Sequence, residues 1–182
     1  MPFPVELRTS HPGVFRLHDD LRVRNVGNVI NCVEAPVVVR HANKDVMKRA
    51  RVLLAEDHVA VAEHLRGLLE AEFQVVAVVT DGFALLGAAQ TLKPDVIVAD
   101  ITMPGLDGIA AATRIFQHDP HARIVFVTVH NDPGLVQRCM EMGVLGYVLK
   151  LVAGDELVPA VHAALAGKSY VSPHVNSRRS NP

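Results

Sequence analysis

Lys93-Pro94-Asp95-Val96-Ile97-Val98-Ala99-Asp100-Ile101-Thr102-Met103-Pro104-Gly105 is the stretch that sets the fold. Lys93-Pro94 is a break. Asp95 starts the next strand; the four apolar residues after it, three of them β-branched, run into Asp100. Met103-Pro104-Gly105 is then a loop, since Pro and Gly both punctuate there. A short apolar run between turn signals, with no alternation of polar residues, reads as a strand buried on both faces of a parallel sheet. The same plan recurs three times. Val52-Leu53-Leu54-Ala55 runs into Glu56-Asp57, Ile124-Val125-Phe126-Val127 into Thr128, and Tyr147-Val148-Leu149 into Lys150. In such sheets the ligand site lies outside the carboxyl ends of the strands. One crevice would then collect three carboxylates, a hydroxyl and an ammonium.

Working outward, helix-like segments fill the gaps between strands. His58 to Glu72 carries Val61, Leu65, Leu68 and Leu69 at helical spacing. Gln74 to Val79 is strand-like, and Gly82 to Leu92 is helical with Phe83, Leu86 and Ala89 expected inward. Gly108 to His118 is a third helix, ended by Asp119-Pro120. Asp132-Pro133 opens a fourth as N-cap and first-turn proline. It runs to Met142, with Gly143 as the residue just past its end. Gly154-Asp155-Glu156 opens the last, which ends near Gly167. Five strands alternating with five helices imply an α/β sandwich around a parallel sheet. A doubly wound, flavodoxin-like (βα)5 sheet in the order 2-1-3-4-5 brings strands 1, 3, 4 and 5 side by side. That order makes the polar strand ends converge.

The bulk properties narrow the class. The chain has 182 residues and is 49% hydrophobic, which excludes a largely disordered protein. No apolar stretch is long enough to span a bilayer, and Met1-Pro2-Phe3-Pro4 lacks the regions of a signal peptide. Cys32 and Cys139 are too few and too far apart for a disulfide framework or a zinc site, and the ten histidines show no metal-ligand spacing. A cytoplasmic location with reduced thiols is the simplest expectation. Residues 1–51 hold nine Lys/Arg and five Asp/Glu, a net +4, whereas residues 52–182 hold nine and fourteen, a net −5. An acidic body argues against nucleic-acid binding by the main domain.

Three domains of behaviour are expected. Residues 1–46 show no clear apolar period, although Val37-Val38-Val39 would suit a short strand; the segment reads as an N-terminal extension, flexible or accessory, or as a start placed upstream of the natural one. Residues 47–167 form the folded domain. Residues 168–182, rich in Ser, Asn, Pro and Arg, read as a flexible C-terminal tail.

The chemistry follows from the strand ends. Mg²⁺ favours oxygen ligands and is held by one or two carboxylates plus phosphate. Asp57 and Asp100 are the candidate direct ligands, with Glu56 holding a metal-bound water. Clustered carboxylates repel one another, and a cation relieves that repulsion. Asp100 is the candidate nucleophile for an aspartyl phosphate. Lys150 supplies a compact cation for a phosphate oxygen, and Thr128 a hydroxyl donor. His58 and His130 flank the same mouth. Taken singly, each residue has an ordinary reading: a loop or N-cap Asp, a surface Lys, a strand-end Thr, an acidic first helical turn. Their placement at the same end of successive strands is what argues for a site.

At these residues the stretch Met47 to Pro173 resembles the receiver domain of two-component response regulators. The matching pieces are Val-Leu-Leu-Ala-Glu-Asp-His (52–58), Pro-Asp-Val-Ile-Val-Ala-Asp-Ile-Thr-Met-Pro-Gly-Leu-Asp-Gly (94–108), Val-Phe-Val-Thr-Val (125–129) and Gly-Tyr-Val-Leu-Lys (146–150). The Asp57-His58 pair and the closing Gly-Lys-Ser-Tyr-Val-Ser-Pro resemble the NarL/FixJ-type branch. The resemblance implies that Asp100 is the phosphoacceptor and Glu56-Asp57 the acidic pair. It implies the backbone carbonyl of Thr102 as a further Mg²⁺ ligand, Thr128 and Tyr147 as switch hydroxyl and switch aromatic, and Lys150 as the family's lysine. It further implies a sensor histidine kinase or histidine phosphotransfer protein as phosphodonor.

Two features depart from the pattern. Leu151 stands where many receivers have Pro, so a cis peptide is not expected there. Nine residues follow Pro173, where this branch usually continues into a helix-turn-helix domain, so direct DNA binding by this chain is not expected. The expected function is a phosphorylation-dependent signalling switch rather than a dedicated enzyme. The alternatives are a receiver fragment of a DNA-binding transcription regulator, or an aspartyl-nucleophile phosphatase. The second is disfavoured because such enzymes resemble Asp-x-Asp at the first strand, where this chain has Glu56-Asp57. Val136, Leu157 and Val161, on the face spanning residues 133–166, are either core or a partner or homodimer surface.

Overall fold

The computed structural model describes residues 49–176. The expected extension 1–46, with its candidate strand Val37–Val39, lies outside these residues, as do residues 177–182 of the expected tail.

Strands β1 (Arg51–Ala55), β2 (Gln74–Val79), β3 (Val96–Ala99), β4 (Ile124–Thr128) and β5 (Gly146–Leu149) alternate with helices α1 (Val59–Glu70), α2 (Gly82–Leu92), α3 (Gly108–His118), α4 (Pro133–Glu141) and α5 (Ala153–Leu165). All strand pairs are parallel, and the order is β2-β1-β3-β4-β5-β6. This is the flavodoxin-like sheet expected, with one strand more. β6 (Tyr170–Val171) adds to β5, pairing Gly146 with Tyr170 and Tyr147 with Val171. A short 3-10 turn, Pro173–Asn176, follows it. The expectation of a flexible tail from residue 168 therefore fails over 168–176. The backbone there is tied down: Lys168 N–H donates to the Ala163 carbonyl, and Ser172 N–H to that of Tyr147.

The interior strands β1, β3, β4 and β5 are buried along nearly their whole length, which is why their sequences are apolar without alternation. Two apolar layers flank the sheet. One packs Leu53, Ile97, Phe126 and Tyr147 against α2, α3 and α4; the other packs Leu54, Val98, Val127 and Val148 against α1 and α5. Alternate residues of each strand feed opposite layers, as the period-2 geometry requires.

Local signals set the helix ends. Asp132 Oδ1 accepts from Gly134 N–H with Pro133 in the first turn, and Gly143 beyond α4 has φ +106°, a backbone that favours glycine. Asp81 and Asp107 cap α2 and α3 in the same way. Lys93 ends α2 in the left-handed region. Phe83 corrects an expectation: it is 59% exposed, and Leu85 is the helix's buried apolar side chain. Phe83 precedes the buried position by two residues and so falls on another side of the helix, where the Arg114 guanidinium lies 6.0 Å from its ring centroid. Val136, Leu157 and Val161 are core, not an open partner surface. Among the described residues, no helix is long and apolar enough to cross a membrane.

Candidate functional site

The polar residues at the carboxyl ends of β1, β3, β4 and β5 come together as the topology requires. Glu56 is fully buried; its N–H donates to the Val79 carbonyl, extending the β1–β2 pairing by one residue. Asp100 is 4% exposed, and its N–H donates to the Ala55 carbonyl, so it continues β3 beside β1. Strand pairing therefore holds both carboxylates in place through the backbone.

Lys150 binds them to each other. Its Nζ lies 2.8 Å from Asp100 Oδ2 and 2.7 Å from Glu56 Oε2. Burial alone would lower the lysine pKa. Hydrogen bonds and charge from Asp100 and Glu56 outweigh that and hold it above the ordinary lysine value. The ammonium is thus kept charged. The other oxygen of Asp100, Oδ1, accepts from Ile101 N–H at 2.7 Å.

Asp57 and His58 form the open side of the site. Asp57 Oδ1 is 2.8 Å from His58 Nδ1, and Glu56 Oε1 accepts from His58 N–H at 3.3 Å. Glu56, Asp57 and His58 each offer a ligand atom within 4.8 Å of the others. Asp100 is outside that set; its two oxygens contact Lys150 Nζ and Ile101 N–H. The carboxylates are hard oxygen donors and fit Mg²⁺; the exposed imidazole of His58 is not required for such a site.

Thr128, fully buried at the end of β4, accepts from His130 N–H through Oγ1 at 3.3 Å. His130 is the residue whose importance sequence reasoning understated. Its Nε2 is 2.7 Å from Thr102 Oγ1, joining the loop after β3 to the loop after β4. Its carbonyl accepts from the Tyr147 hydroxyl at 2.8 Å. A residue two positions beyond a strand end carries no sequence signal for contacts 28 and 17 residues away. Tyr147 is fully buried, and burial first, then the charge near Cys139, Asp132 and Asp100, pushes its hydroxyl far above the ordinary value. It is a donor at any moderate pH.

The loop from Ile101 to Asp107 is seated on buried Met103 and Leu106. Where α3 begins, Gly108 N–H donates to the Ile101 carbonyl, and a Cβ at Gly108 would lie 2.1 Å from the Asp100 carbonyl oxygen. Only glycine lets α3 start this close to Asp100. The peptides of the described residues are all trans, including the one that precedes Leu151.

Residues 52–162 match the family model of the response regulator receiver domain. The transcriptional regulatory protein DegU of Brevibacillus brevis is 31% identical over 129 residues, covering 70% of this chain and 55% of DegU. The response regulator GacA of Pseudomonas aeruginosa is 35% identical over 127 residues, covering 69% of this chain and 59% of GacA. A crystal structure of a LuxR-family two-component response regulator from an Aurantimonas species superposes with TM-score 0.68 at 37% identity, covering 71% of this chain and 94% of that one. The chain thus spans somewhat over half the length of the curated relatives it matches.

Proposed function

Because the chain belongs to the response regulator receiver family of two-component systems, we propose that it is a phosphorylation switch with Asp100 as phosphoacceptor. The observation that carries this is the Lys150 ammonium held at 2.8 Å from Asp100, with Glu56 and Asp57 alongside. A carboxylate oxygen of Asp100 forms the new P–O bond, the P–N bond of a donor phosphohistidine breaks, and the donor imidazole leaves with a proton. A sensor histidine kinase or a histidine phosphotransfer protein supplies that phosphohistidine.

The residues divide the work. Asp57, Asp100 and the Thr102 carbonyl would hold Mg²⁺, and Glu56 would accept a hydrogen bond from one of its waters. The bound cation would neutralise charge on the transferring phosphoryl group. Lys150 turns from Asp100 toward a phosphoryl oxygen, keeping its charge inside the site. Thr128 donates its hydroxyl to another oxygen, and Tyr147 reads the movement of the loop that follows. The output is a change of surface, not turnover of a substrate, and the same reading places the protein in the cytoplasm.

The name of DegU, a transcriptional regulatory protein, favours a second reading of the output: this domain is the receiver part of a DNA-binding transcription regulator. On either reading the receiver body, net −5 over residues 52–182, does not itself grip duplex DNA. The acid–metal assignment is tested by Mg²⁺ titration of variants, followed by amide chemical shifts. Asp57→Ala should weaken binding more than Glu56→Ala, because only Asp57 ligates directly. The reverse order would overturn the assignment.

A further inference from the structure

Tyr170–Asn176 joins the chain beyond α5 to the residues around the proposed switch. Ser172, itself buried, donates its N–H to the carbonyl of Tyr147 at 2.8 Å. Val175 is 3% exposed and lies in the same apolar layer as Tyr147 and Val136. The Asn131 side-chain amide donates to the His174 carbonyl at 3.4 Å, and His174 Nδ1 is 3.0 Å from Glu156 Oε1 near the start of α5. The turn is therefore fastened at four points: to β5, to the core, to the loop after β4, and to α5. Two of these, Tyr147 and Asn131, flank His130 in space or in sequence, and His130 in turn contacts Thr128 and Thr102.

We propose that Ser172–Asn176 is an intramolecular latch seated on the Asn131–Tyr147–Glu156 surface and released when Asp100 is phosphorylated. This rests on the receiver reading above. Drawing Thr128 toward a phosphoryl group disturbs its contact with His130 N–H and shifts the loop that carries Asn131. Asn131 then leaves the His174 carbonyl, and the turn loses its link to that loop. A partner that reads this surface must compete with the latch, and whatever chain follows residue 176 is tethered to the switch. Coupling of this kind is reciprocal: a weaker latch must favour the phosphorylated form by the same factor.

The test uses the full chain, beryllofluoride with Mg²⁺ as phosphoryl mimic, and amide exchange read on two peptides. One peptide covers residues 97–103, at the acceptor; the other covers 170–176, where the amide of Val175 donates to the Ser172 carbonyl in the seated turn. Protection of the first with faster exchange of the second is the expected result. Protection of the first alone overturns the latch and leaves the receiver reading standing. No response in either overturns both. Asn131→Ala and Val175→Ser should lower the beryllofluoride concentration at half-response by about fivefold or more. An unchanged midpoint in a folded Asn131→Ala protein contradicts the latch.

Discussion

One ammonium, Lys150 Nζ, bridges the carboxylates that end β1 and β3, at 2.7 Å from Glu56 and 2.8 Å from Asp100. Without it two buried carboxylates would face each other with no cation of the protein between them. Lys150→Met should therefore destabilise the fold by about 2–3 kcal/mol at neutral pH, since removing one partner strands the other charge. Urea unfolding midpoints of the two proteins check this. A variant as stable as wild type would show that the bridge is not needed for folding.

The same bridge gives a sign for the alkaline limb. The Lys150 pKa is raised on folding, so its stabilisation is complete below the ordinary lysine value of 10.5 and declines as pH climbs from there through the folded value. Tyr147 is raised as well and acts in the same direction above its ordinary value of 10.0. Thermal midpoints between pH 8 and the alkaline unfolding region should fall more steeply for wild type than for a Lys150→Met/Tyr147→Phe double variant. Parallel curves would mean that neither group is linked to folding.

Glycines on two helices should respond with opposite signs. A Cβ at Gly108 would meet the Asp100 carbonyl oxygen at 2.1 Å, so Gly108→Ala should cost about 3 kcal/mol and displace the acceptor. Gly67, inside α1 with open space around it, should gain about 0.5–1 kcal/mol as Ala. Chemical denaturation of both variants decides. A stabilised Gly108→Ala would refute the close approach of α3 to β3.

Tyr147→Phe keeps the ring in its apolar layer and removes the bond to the His130 carbonyl. The expected loss is about 1 kcal/mol, with faster amide exchange confined to residues 129–132. Exchange unchanged in that loop would show that the tyrosine hydroxyl does not restrain it.

Much of this was readable from the chain because parallel strands must be apolar on both faces. Val96–Ala99 and Ile124–Val127 do not read as amphipathic edges, and the strand order 2-1-3-4-5 then brings their terminal Asp100 and Thr128 to one mouth. Asp132-Pro133 and Gly143 marked the ends of α4 by local chemistry alone. What escaped were relations that no period encodes. β6 has two residues, too few for a strand pattern, and sits among Ser, Asn and Pro. Phe83, Leu86 and Ala89 share a helical spacing, but the phase of the helix is set by Leu85. Val136, Leu157 and Val161 were ambiguous because an apolar face looks the same whether the sheet or a partner covers it. The bonds of His130 to Thr102 and Tyr147 depend on loop geometry that the sequence does not express.

Whether Asp100 receives the phosphoryl group can be read from intact mass. The full chain is incubated with a small-molecule acyl phosphate, with and without Mg²⁺, beside Asp100→Asn. A single phosphoryl adduct is expected in wild type, dependent on Mg²⁺ and absent from Asp100→Asn. An adduct of equal yield in Asp100→Asn would contradict it.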